Sequence, residues 1–178
     1  DEVRRGNVDP HLDNMLKITN DGRLLALDAR LIDPMLPDNP DSKVNACVRE
    51  ALRIYEEGNG ERLTQLIFCD LSTPKAERTD GGFDDVYHEL KRKLIRAGVP
   101  EGEVAFIHDA NTEVQKDELF AKVRKGAIRI LIGSTAKMGA GTNVQKRLKA
   151  LHHLDCPWRP SDLQQRDGRI LRQGNENP

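Results

Sequence analysis

The strongest constraint on this chain is an alternation that begins at Thr64. Four short apolar runs, "TQLIFCD" (Thr64–Asp70), "EVAFIH" (Glu103–His108), "IRILIG" (Ile128–Gly133) and "ALHHLDC" (Ala150–Cys156), read as buried strands. Between and after them lie "FDDVYHELKRKLIRAG", with Phe83, Val86, Leu90 and Leu94 on one face, "TEVQKDELFAKVRKG", and "PSDLQQRDGRILRQ" with Ser161 as its N-cap. Strands separated by helices need crossover connections. The expected fold is therefore α/β, a three-layer sandwich around a mainly parallel sheet. In such sheets the functional loops lie beyond the carboxyl ends of the strands.

Upstream, "PDSKVNACVREALRIYEEGN" predicts a helix capped by Ser42 and stopped at Gly58. Val44, Cys47, Val48, Leu52 and Tyr55 form its apolar stripe. Asp1–Asp41 is rich in Pro and Asp, with one short helix or strand in "GRLLALDARLI". Residues 1–40 read as an extension or linker and 41–178 as the domain. The opening "DEVRRGN" and the ending "GNENP" suggest a piece of a longer protein. Hydrophobic residues are 37% of the chain but aromatics only 4%, so the core must be aliphatic. A net charge of −1 carries no global signature of a nucleic-acid binder. Any such site must be local, and the basic residues do cluster between Lys137 and Arg172. Three scattered cysteines exclude a disulfide framework and a zinc site and fit a reducing, cytoplasmic setting. No apolar run is long enough to span a membrane.

Several candidate sites reduce to structural roles. "DELF" (Asp117–Phe120) mimics a metal-binding DExx box but falls inside an amphipathic helix. His152 and His153 point to opposite faces of a strand, a poor ligand pair. His108 ends a strand without a ligand-spaced partner, and Cys69 and Cys156 read as small core residues. No metal site is expected. "GSTAKMGAGTN" (Gly133–Asn143) offers small residues and hydroxyls at a strand's carboxyl end, where backbone N–H groups approach phosphate closely. It satisfies neither the P-loop nor the dinucleotide pattern. Arg166, Arg169 and Arg172 recur every third residue, and a guanidinium suits phosphate because it is planar, forked and permanently charged. On a helix Arg169 and Arg172 would stand one turn apart, and Gly168 would let a ligand or another chain approach.

In order, these pieces resemble a known family. "QRDGRILR" (Gln165–Arg172) resembles the sixth motif of superfamily two helicases, "STAKMGAGTN" their fifth motif in its Swi/Snf-type form, and "LIFCD" their fourth. "DCPWRP" is similar to the Trp-Asn-Pro segment of that branch. The wider wording, including "LPDNPDSKVNAC" and "LTQLIFCDLSTPK", resembles bacterial, phage and mobile-element proteins that join a DNA methyltransferase to such a helicase.

The resemblance implies the second of two RecA-like lobes. ATP and Mg2+ would be held against an N-terminal lobe of the same polypeptide, and DNA would be the partner. By position, Arg169 and Arg172 would be arginine fingers. Gln165, Gly141, Asn143 and Gly168 would line or couple to the nucleotide. Ser134, Thr135, Lys137, Ser72, Thr73 and Lys75 would contact the DNA backbone. Asn175 for Gln, Arg159 for Asn and "DANT" (Asp109–Thr112) depart from the family pattern. With no P-loop, this chain alone is expected to bind no ATP tightly and hydrolyse none. Two other readings stand beside this one. One is a non-catalytic docking module derived from such a lobe. The other is a phosphosugar enzyme using His108 and Asp109.

Overall fold

In the computed structural model, which describes residues 15–75, 82–138 and 143–177, Thr64–Phe68 forms strand β1 with every residue buried. An unbroken apolar run requires this, because both faces of the strand are covered. The elements before it are α1 (Met15–Leu27) and α2 (Lys43–Glu57). After it come α3 (Val86–Arg96), β2 (Val104–Phe106), α4 (Glu113–Arg124), β3 (Ile130–Gly133), α5 (Thr135–Met138), β4 (Leu148–His153) and α6 (Pro160–Asp167). The strand order is β2-β3-β1-β4 with every pairing parallel. The expected three-layer α/β sandwich is observed.

The period-two alternation of each strand divides the core into two layers. Ile67, Ile130 and Ile132 pack with Val44, Val48, Val86, Leu90 and Leu94 of α2 and α3. Leu66, Phe68 and Leu131 face the other way, against Phe120 and Val123 of α4 and Met138 of α5. Local chemistry starts the helices where the sandwich needs them. Ser42 Oγ accepts from the Asn45 N–H (3.2 Å), and Asp85 accepts from the His88 N–H (3.0 Å). Thr112 and Gln115 form a reciprocal capping box on α4.

Several boundaries differ from the sequence expectation. Helix α3 begins at Val86, because the Asp85 cap excludes Phe83 from the helix. Strand β2 is three residues long, and His108 lies in the 3-10 turn Ile107–Asp109 rather than ending a strand. Helix α6 is preceded by Arg159, with Pro160 at its first position, instead of being capped by Ser161. It ends at Asp167, so Arg169 and Arg172 are not on a helix. Cys156 is exposed, because the chain has left the sheet before reaching it. The segment "GRLLALDARLI" divides into the end of α1 and a 3-10 turn, Ala29–Leu31. Leu27 enters the core, and Arg30 bridges Asp28 (2.7 Å) and Glu89 (2.9 Å) while covering the Phe83 ring. None of the described helices is long and apolar enough to cross a membrane.

Gly133 closes β3 at a point of very close approach. A Cβ there would stand 2.6 Å from Ile107 Cγ2 and 2.7 Å from Met138 Sδ. Gly133→Ala is therefore expected to destabilise the fold by about 1–3 kcal/mol through overpacking. Urea unfolding of the two chains measures it.

Candidate functional site

The carboxyl ends of β1, β3 and β4 are tied together by one side chain. Arg166, on α6, is 1% exposed. Its Nε donates to Thr135 Oγ1 (2.7 Å), and its Nη1 donates to the Asp155 carbonyl (2.9 Å). Its Nη2 reaches Asp70 Oδ2 (2.7 Å) and Asp155 Oδ1 (3.0 Å). Phe68, the last residue of β1, lies beneath the guanidinium at 5.2 Å. Asp155 also accepts from the Asp70 and Leu71 N–H groups, and Asp70 accepts from the Thr135 N–H (2.6 Å) and hydroxyl (2.7 Å). Burial alone would raise the Asp70 pKa. The hydrogen bonds from Thr135 and Arg166 overcome that and hold it below the usual carboxylate value.

Over this network opens a cavity of about 520 Å³ lined by Asp70, Thr73, Ser134, Thr135, Ala136, Asp162 and Gln165. It sits where open parallel sheets place their ligands. Four of the residues singled out from sequence, Thr73, Ser134, Thr135 and Gln165, meet here although drawn from two different expected sets. Thr135 is buried, its hydroxyl both accepting from Arg166 and donating to Asp70. Ser134 Oγ accepts weakly from the Lys137 N–H (3.4 Å).

The other singled-out residues stand elsewhere. Ser72 is buried, and its hydroxyl accepts from the Val86 N–H (3.0 Å) at the start of α3. The Lys75 N–H donates to Asp85 (2.9 Å), and the Asn143 carbonyl accepts from Arg124 (2.8 Å). The Lys137 side chain is exposed and is not among the lining residues. Gly168 is the C-cap of α6, and Gly141 lies outside the described residues.

Arg169 and Arg172 are held differently. Arg169 is 3% exposed, and its N–H donates to the Arg166 carbonyl (3.0 Å). Burial, followed by the neighbouring charge of Arg172, draws its guanidinium below its ordinary pKa. Arg172 is exposed and lines a separate cavity of about 390 Å³ with Lys149, Ile170, Leu171, Asn175 and Asn177. Arg169 and Arg172 thus bring two positive charges close together just beyond α6.

Sequence reasoning passed over Asp70 and Asp155 as functional positions. Both follow directly on apolar strand runs, "LIFCD" and "ALHHLDC", and a carboxylate at the carboxyl end of a buried strand was the available signal. His152 and His153 are both held by side-chain contacts. His152 Nε2 pairs with Gln65 Oε1 (2.8 Å), and His153 stacks on Phe68 and pairs with Asp167 (3.0 Å) on the opposite face. No group of three or more potential metal ligands occurs among the described residues.

A family model described as "Helicase conserved C-terminal domain" matches residues 43–174. Among solved structures, the C-terminal part of the Fun30 ATPase domain is similar with a TM-score of 0.55 and 17% identity, over 90% of this chain and 47% of that one. The Hef helicase domain of Pyrococcus furiosus matches with a TM-score of 0.47 and 12% identity, over 96% of this chain and 30% of that one. This chain thus spans less than half of either structure. No curated protein sequence matches it. The Fun30 likeness establishes the fold as that of a RecA-like helicase C-terminal lobe.

Removing the guanidinium leaves the buried Asp155 carboxylate without its counter-charge, so Arg166→Met should cost about 3–5 kcal/mol in urea unfolding. The Asp70 pKa is depressed in the folded state. Its contribution is fully present above the unfolded value of about 3.9 and is lost as pH falls through the lower folded value. Asp70→Asn should therefore flatten the acid limb of the stability–pH curve below about pH 4.

Proposed function

The chain belongs to the helicase conserved C-terminal domain family, and from that premise we propose that it is the second motor lobe of an ATP-dependent DNA translocase of Swi/Snf type. In this reading residues 41–178 are the lobe, residues 1–40 the connection toward a first lobe, and the parent protein a cytoplasmic methyltransferase–helicase fusion. The first lobe supplies the P-loop and the Mg2+ ligands. This lobe supplies Arg169 and Arg172 as fingers toward the γ-phosphate.

The observation that carries the proposal is the anchoring of Arg166. Its four hydrogen-bonded contacts at the carboxyl ends of three strands make a rigid base, and Arg169, three residues on, donates its N–H to the Arg166 carbonyl. Preorganised cations of this kind stabilise charge that develops in phosphoryl transfer without reorganising at the moment of reaction. Gln165 and Gly168 belong to the same turn of chain, and Gly141 and Asn143 to the segment coupling nucleotide to DNA. Ser134 and Thr73 mark the DNA-facing end of the sheet, with Lys75 and Lys137 adding charge at its rim, while the buried Ser72 and Thr135 hold that end in place through their hydroxyls. Contact is mainly to phosphates, so affinity falls steeply with salt.

In the full-length protein, Arg172→Ala lies at an exposed position and should leave folding and DNA binding intact. It should reduce ATP turnover by about a thousandfold or more. Normal turnover in that variant overturns the finger assignment. The 178-residue chain itself should show no ATP hydrolysis, and activity that a substitution in this lobe abolishes would refute the division of labour between lobes.

A further inference from the structure

Helix α1 is lightly held. Leu27, its last residue, is the one buried position in the helix, while Met15, Leu16, Ile18 and Leu25 are exposed. Arg23 nevertheless reaches across the molecule to the connection between β4 and α6. Its Nη2 donates to the Cys156 carbonyl (2.6 Å), and its guanidinium carbon stands 4.4 Å from the centroid of the Trp158 ring. Trp158 is 66% exposed even with that guanidinium over it.

The position of this contact gives it leverage. The connection starts at Asp155, which holds Arg166 and receives the Asp70 and Leu71 N–H groups. It ends at Arg159, which introduces α6 without a side-chain cap. Arg23 therefore fixes the middle of a short segment whose first residue secures the network and whose last residue begins the helix carrying Arg166. A guanidinium that both donates to a carbonyl and covers an indole face resists sliding in two directions.

We propose that α1 is a latch on the site. With Arg23 seated on Trp158, Asp155 is held where it receives Arg166. When α1 lifts, the connection slackens and the Asp70–Asp155–Arg166 network loosens. The position of the N-terminal helix is thereby transmitted to the turn that bears Arg169. The regulatory meaning of the latch rests on the motor reading above, whereas the mechanical coupling does not.

Trp158 is the single tryptophan of the chain, so its emission reports on the latch alone. In the 178-residue chain, Arg23→Ala should increase acrylamide quenching of Trp158 and raise amide exchange at Asp70, Leu71, Cys156 and Trp158 by about five- to tenfold, while Ile130–Ile132 stay protected. Arg23→Lys keeps a cation over the ring without the fork and should restore part of the protection. Increased quenching with unchanged exchange at Asp70 and Leu71 overturns the proposal, because Arg23 would then only cover the ring. A uniform rise that includes Ile130–Ile132 also overturns it, since the contact would then contribute only global stability. Neither measurement uses ATP or DNA, so failure of the latch is distinguishable from failure of the motor reading.

Discussion

Arg166 is the constraint on which the carboxyl end of the sheet depends. Parallel strands bring their carboxyl-terminal loops together at one end of the sheet, and here two of those loops carry carboxylates, Asp70 and Asp155, that would repel each other without a cation between them. A guanidinium serves where an ammonium would not. Its fork meets Thr135, the Asp155 carbonyl and both carboxylates at once. Paired in this way, the carboxylates become rigid acceptors for backbone N–H groups, which shape the cavity above them.

The electrostatics of that end are divided. The cavity over the network is lined by Asp70 and Asp162 and by neutral hydroxyl and amide groups. The guanidinium of Arg172 lines a second cavity beyond the end of α6. The structure thus separates residues that the sequence motif presents as one string. Termination of α6 at Asp167 does this. Past Gly168 the chain turns away, so the three-residue recurrence of arginines does not produce one charged face.

Much of this fold was legible in the sequence. Apolar runs bounded by polar turns marked all four strands, and Ser42 and Gly58 announced helix ends through their own side-chain or backbone chemistry. The failures share a cause. Ser161 has the chemistry of a cap, but Pro160 preset the first helical turn one residue earlier. Cys156 was read by its apolar neighbours, yet its exposure depends on where the strand leaves the sheet. The site was legible at its motif residues and hidden at Asp70 and Asp155, whose importance arises from contacts 96 and 11 residues away. No local pattern encodes a partner at that distance.

The separation between Asp70 and Arg166 also orders the events of folding. Strand β1 is central and emerges early, but the cation that neutralises the carboxylate following it arrives 96 residues later, after every other strand. Closing so long a loop costs entropy that is recovered only when the last contact forms. In a chain growing from its amino end, the cation of this pair is thus made only after all four strands. The end of the sheet that bears the site is therefore closed by a contact that only the nearly complete chain can make.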